Sequence, residues 1–181
     1  MRKILGIYLL LISQLATSAA LKPSELAATQ VVDQFVQGCF INFPYPEKFA
    51  QWIAQPGFKK LPGNDAAEYL NGYSGSVWIA ELNSSHFVVT SIGTNACNVF
   101  ANDLDETMTK NLVIGFLDYL KTQGVTYQSR NITPDGAKAG QSSMSYAVSI
   151  EGQVIMNLIL SVAPLGLGKF QIALTTAKVD T

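Results

Sequence analysis

Apolar and polar residues follow one another along this chain with two different periods, and each change of period marks the end of an element. From Pro23 to Cys39 the apolar residues fall at helical spacing, with Ala28, Val31, Val32, Phe35, Val36 and Cys39 on one stripe. Such a stripe is the mark of a helix with one buried face. Pro23-Ser24 opens it, Gly38 weakens its end, and Cys39 rides on its buried side. A second, short helix starts at Pro46, a residue suited to the first helical position. Phe49, Trp52 and Ile53 are its apolar face, and Pro56-Gly57 stops it. Pro62-Gly63-Asn64-Asp65 forms a turn; Asp65 and Glu68 then have the spacing of a capping box, or belong to a plain loop. The clearest helix runs from about Asp103 to Gln123, where Leu104, Met108, Leu112, Phe116 and Leu120 recur every fourth residue and Val113 and Leu117 widen the stripe. Asp103, with Glu106 three residues on, is its expected N-cap. Acids at its start and Lys121 at its end complement the helix dipole, and Gly124 fits the position just past the end.

The remaining segments have the period of strands. Ser76–Leu82 and His86–Ile92 read as a hairpin around Asn83-Ser84-Ser85, and Cys97–Ala101 as a short third strand with Cys97, Val99 and Ala101 on one face. Val125–Ile132 is a further strand. Thr133–Gln141 is a polar loop, expected to be the most mobile segment. Ser142–Glu151 alternates, with Met144, Tyr146, Val148 and Ile150 inward and Ser143, Ser145 and Ser149 outward. Gly152 turns the chain in a two-residue hairpin loop. Val154–Ala163, a turn over Pro164–Gly168, and a last strand with Phe170, Ile172 and Leu174 alternating complete the chain. The pattern predicts an α+β fold, an antiparallel sheet of about six or seven strands with helices packed against it. Neither a linker nor a repeat is visible.

The N-terminus changes this picture. Met1-Arg2-Lys3 is basic, Ile4–Ala16 is an apolar stretch of 13 residues broken only by Ser13 and Gln14, and Thr17-Ser18-Ala19-Ala20 supplies small residues. These are the three parts of a cleavable export signal, with the cut expected after Ala20 or one residue earlier. The apolar stretch is shorter than the roughly 20 residues that a membrane-spanning helix needs. Residues 1–20 are therefore read as a signal peptide and 21–181 as a single α+β domain in the periplasm. Without the signal, which holds two of the 12 basic and none of the 13 acidic residues, the net charge is −3. That balance, with no basic cluster, argues against a nucleic-acid partner. No later segment reads as a membrane span. In an oxidising compartment the two cysteines, Cys39 and Cys97, read first as one disulfide.

Candidate chemistry is sparse. His86 is the sole histidine and the necessary base of any Ser-His or Cys-His system, but its spacing favours no triad and a turn histidine explains it. One histidine cannot build a multi-histidine zinc site. A thiol nucleophile at Cys97 requires that cysteine to be free. The segment Pro164–Phe170 has Ala163 and Phe170 where a phosphate loop needs Gly and Ser or Thr. Asp103, Asp105 and Glu106 lack the rest of a calcium loop and are explained by capping. No metal, cofactor or catalytic residue is assigned. Trp78 reads as core. The binding candidates are Tyr45, in the proline-flanked Phe43-Pro44-Tyr45-Pro46 loop, and Trp52.

Five short stretches carry a resemblance: Phe35-Val36-Gln37-Gly38-Cys39, then Phe49-Ala50-Gln51-Trp52 and Gly57-Phe58 before Gly75–Trp78, and Cys97–Ala101 leading into the long helix. Over roughly residues 31 to 120 the chain resembles an uncharacterised family of small exported or lipid-anchored proteins of Gram-negative bacteria, and the paired cysteines are the most specific part. The chain has no lipid-attachment cysteine. The resemblance implies a periplasmic location and a disulfide, and no activity.

Three functions are compatible with these features. The first is a non-enzymatic periplasmic binding or protein-interaction module, of which an inhibitor or immunity-type protein would be one form. The second is a periplasmic hydrolase or thiol enzyme using His86. The third is a carrier of a small apolar ligand held between helix and sheet.

Overall fold

The computed structural model describes residues 21–82, 85–133, 140–164 and 169–179. Residues 1–20, read above as a signal peptide, the tip of the first hairpin at 83–84, most of the loop expected to be mobile and most of the 164–168 turn lie outside the described residues. Helix α1, Pro23–Phe35, starts where expected. It runs on into a π-helical segment, Val36–Asn42. Helix α2 spans Pro46–Ile53 and α3 spans Gly63–Leu70. Strands β1 (Phe58–Lys60), β2 (Gly75–Leu82), β3 (Ser85–Ile92) and β4 (Ala96–Ala101) precede the long helix α4, Glu106–Thr122. Strands β5 (Val125–Ile132), β6 (Ser142–Ile150), β7 (Gln153–Val162) and β8 (Ile172–Lys178) follow it.

The strands form one 8-stranded antiparallel sheet in the order β1-β2-β3-β4-β8-β7-β6-β5. The α+β architecture is the expected one, with a slightly higher strand count. The additional strand is β1, whose three residues are too few to show alternation. The strand order reads the same from either edge to the centre: a helical stretch and a four-strand meander occur twice, and the meanders meet at β4 and β8. No repeat in the sequence announces this arrangement.

One face of the sheet carries the main core. Val31, Val32, Phe35 and Val36 lie against Phe87, Val89 and Val99 on one meander and Leu158 and Leu174 on the other, with Val113, Phe116 and Leu117 of α4 alongside. On the far face α3 places Ala66 and Leu70 over Val77 and Val88. Phe170 belongs to this smaller cluster, its ring stacked on Phe100 at 4.9 Å. It was expected to share a face with Ile172 and Leu174. The strand begins only at Ile172, so strand alternation does not govern Phe170. Ile150, expected to point inward, is 44% exposed; it is the last residue of β6, paired with Gln153 at the turn into β7. Ser143 and Ser145 lie on the face away from the helices but are buried.

Polar bonds fix the seam between the meanders. Asn98 on β4 donates to Thr90 Oγ1 on β3 and accepts from Thr175 Oγ1 on β8, each at 2.7 Å. Gln171 N donates to Asn102 Oδ1 at 2.7 Å, while the Gln171 side chain bonds both the N–H and the C=O of Leu104. This bridge holds the start of β8 against the entrance of α4. At that entrance the structure corrects the expected helix start. Asp105, not Asp103, is the N-cap: its backbone is extended and its Oδ1 accepts from Met108 N at 2.7 Å. Asp103 has a left-handed backbone, φ 58°, and cannot supply the extended geometry of a cap. Both aspartates are suited to an N-cap by residue type, and backbone conformation distinguishes them, extended at Asp105 and left-handed at Asp103. Asp65 does not cap α3, which begins after Pro62 without a side-chain cap.

Gly38 in the π segment is buried under Trp52, and a Cβ placed there would overlap the indole ring. Trp52 is itself wedged between Phe49 and Phe58, with ring centroids 5.7 and 4.7 Å away. Gly38 is thus a packing requirement and not merely a weak point of the helix.

Two stability measurements follow from this packing. In denaturant melts Asp105→Ala costs about 1 kcal/mol, the usual value of an N-cap, whereas Asp103→Ala leaves the cap intact; equal losses would contradict the assigned helix start. Gly38→Ala should destabilise by about 1–3 kcal/mol through overpacking, although Ala is the better helix former by about 1 kcal/mol. A stabilised Gly38→Ala protein would show that the Trp52 contact is loose.

Candidate functional site

Two hollows bear on function, one at each end of the helical layer. The smaller, about 380 Å³, is bordered by Ser85, His86 and Asp103, the residues from which a hydrolytic site would have to be assembled. Adjacent residues of a strand point to opposite faces, and the bonds of Ser85 and His86 differ accordingly. Ser85 is buried on the helix side, where its hydroxyl donates to Gln30 Oε1. His86 is exposed on the other side, its Nδ1 3.7 Å from Glu81 Oε1. Among the described residues no hydrogen bond or ion pair joins His86 to Ser85 or to Asp103. A serine is activated by a base within hydrogen-bond reach, and here the base faces the opposite way.

The thiol reading fails on a covalent fact. Cys39 and Cys97 are bonded to each other, their Cα atoms 5.3 Å apart, and no free cysteine remains. Among the described residues no group of three or more His, Cys, Asp or Glu side chains could hold a metal ion. No helix among them is long and apolar enough to cross a membrane.

The larger hollow is built by the π segment. A π turn takes in one more residue than an α turn and is frequent at functional sites. Here the Phe43 N–H reaches back to the Gly38 carbonyl at 2.8 Å. Within this wide turn Cys39 points to the sheet and is fully buried, while Phe40 and Ile41 border a cavity of about 640 Å³. Phe116 and Leu120 of α4 and Met156 of β7 complete its apolar walls. The Phe40 and Phe116 rings meet edge to face at 4.9 Å, which fixes the angle between the two walls. Gln37 and Asn42 supply amides. Gln37 hydrogen-bonds Asp33 one turn earlier; burial raises the carboxyl of Asp33 above its ordinary pKa, and the Gln37 bond partly opposes that rise. The volume lies within the range of about 300–1,000 Å³ usual for small-molecule sites.

The two aromatic candidates fall in different places. Tyr45 is 46% exposed and borders this cavity, with Lys48 Nζ 4.4 Å from its ring centroid. Trp52 is buried in the core and contributes nothing to the wall. The proline on each side of Tyr45 was the signal for the first. The helical stripe that Trp52 shares with Phe49 was the signal against the second. Phe40, Ile41, Met156 and Lys178 carried no such signal, because strand and helix patterns mark burial, not which buried residues leave space between them. No family model, curated protein or solved structure matches the chain.

Proposed function

We propose that this is a non-enzymatic binding module of the periplasm that takes a small apolar ligand into the cavity between the π segment, α4 and β7. The observation that carries the reading is the 640 Å³ space walled by Phe40, Ile41, Phe116, Leu120 and Met156. An apolar space open to water is poorly solvated, so filling it with an apolar molecule is favourable. The frame is suited to holding such a space open. A disulfide anchors the π segment to β4, and the Thr176 hydroxyl on β8 donates to the Cys39 carbonyl at 3.1 Å. A pre-formed wall avoids the ordering cost that a flexible one would add to binding. The export signal at residues 1–20 supports the periplasmic address, where that disulfide can form and persist.

Two measurements check this proposal. Protein recovered from the periplasm should have an intact mass beginning at Leu21 or Ala20; a membrane-bound form that retains Met1 would contradict export. The uncharged fluorophore N-phenyl-1-naphthylamine should bind the purified protein saturably, with brighter and blue-shifted emission. Ile155 is 40% exposed at the cavity wall, so Ile155→Trp can fill the opening without disturbing the core. That variant should bind the dye at least about tenfold more weakly, a loss of about 1.4 kcal/mol. Absence of saturable binding, or binding indifferent to Ile155→Trp, would overturn the ligand reading.

A further inference from the structure

Resting on the reading of this cavity as a ligand site, we infer that its ligand is a single-chain amphiphile with an anionic head, a long-chain carboxylate. Its tail lies against Phe40, Phe116 and Met156, and its head lies between Lys48 and Lys178. Among the described residues that border the cavity the charge is one-sided, with these two lysines and no carboxylate, although the chain beyond residue 20 carries a net charge of −3. Both lysines are exposed. Among the described residues neither takes part in an ion pair, whereas Lys110, Lys121 and Lys169 each have an acidic partner.

The position of Lys178 is set by the sheet. On β8 the residues facing the helices are Ile172, Leu174 and Thr176, all buried. Lys178 takes the next position on that face, opposite Met156 in the register. An apolar residue there would extend the core; a lysine there lays its stem along the apolar wall and its ammonium in water. Lys48, on α2, borders the same cavity and is held over the Tyr45 ring. An apolar interior with two cations at its mouth is complementary to an acyl chain ending in an anion. Neither an uncharged hydrocarbon nor a cationic amphiphile matches both parts.

The experiment is displacement of N-phenyl-1-naphthylamine by decanoate, decanol and decyltrimethylammonium at neutral pH, the two ions below their micellar concentrations and decanol below its solubility limit. Decanoate should displace the dye at a concentration about three- to tenfold lower than decanol, and the advantage should shrink with added salt, as expected for charges at a solvent-exposed mouth. Decyltrimethylammonium should be the weakest. In the double variant K48Q/K178Q, which alters only exposed side chains, decanoate and decanol should become equivalent while the dye still binds. If decanol equals decanoate on the unaltered protein, or if the decanoate advantage survives in K48Q/K178Q, the anionic head is wrong and the apolar cavity reading stands. If the dye binds but no ten-carbon compound displaces it, the acyl ligand is wrong. If the dye itself does not bind, the cavity reading fails and this inference fails with it.

Discussion

The bond between Cys39 and Cys97 ties together the parts of this molecule that the chain itself keeps apart. The two residues are 58 apart in sequence, and closing a loop of that length removes chain entropy worth about 4 kcal/mol from the unfolded state. Domains of this size have a total stability of about 5–15 kcal/mol, so the bond is a large part of the whole. Its position matters as much as its energy. Cys97 lies on β4 and the Cys39 carbonyl accepts from Thr176 on β8. One residue of the π segment thus touches both strands at which the two meanders meet. The helical layer is fastened at the seam of the sheet.

The cavity follows from that fastening. With Cys39 held down, the wide π turn presents Phe40 and Ile41 sideways toward α4 rather than down onto the strands. The opposing wall is equally constrained. The N-terminus of α4 is fixed by the Asp105 cap and by the bridge from Gln171 to Leu104. At its other end, Asp118 accepts from Lys121 Nζ at 3.1 Å and from the Tyr127 hydroxyl at 3.0 Å, and these bonds hold its carboxyl below the ordinary pKa. Both walls are therefore positioned by contacts outside the cavity, and the space between them does not depend on a ligand to exist.

The far face of the sheet serves a different purpose. Helix α3 covers β2 and β3 there, and Lys169 joins it to the approach to β8 through an ion pair with Glu68 at 2.7 Å and a contact over the Tyr69 ring at 3.5 Å. Beside it, the Thr90–Asn98–Thr175 bonds cross three strands within a largely apolar setting. Buried polar groups are costly unless paired, so a one-residue slip of any of these strands would leave an amide or hydroxyl unsatisfied. These bonds set the register of the central strands, and no catalytic arrangement is needed to account for them.

What the sequence determined by itself was most of the elements and the buried side of the longer ones, though not β1, the π segment or the faces of Phe170 and Ile150. The stripe from Ala28 to Cys39, the four-residue recurrence from Leu104 to Leu120, and the alternation of Cys97, Val99 and Ala101 are local periodicities, and burial follows from them directly. The disulfide was legible for a chemical reason: the chain has only two cysteines, and an N-terminus read as an export signal predicts an oxidising compartment in which they would pair. Tertiary structure decided the rest. It chose Asp105 over Asp103, because a cap needs an extended backbone, which Asp105 has and the left-handed Asp103 does not. It placed Gly38 under Trp52 and turned Phe170 to the far face. It separated Ser85 from His86, and it brought Phe40, Phe116, Met156 and Lys178 around one cavity. Periodicity records which way a side chain points within its own element. Where two elements fail to close on each other depends on their relative placement, and that is a property of the assembled fold alone.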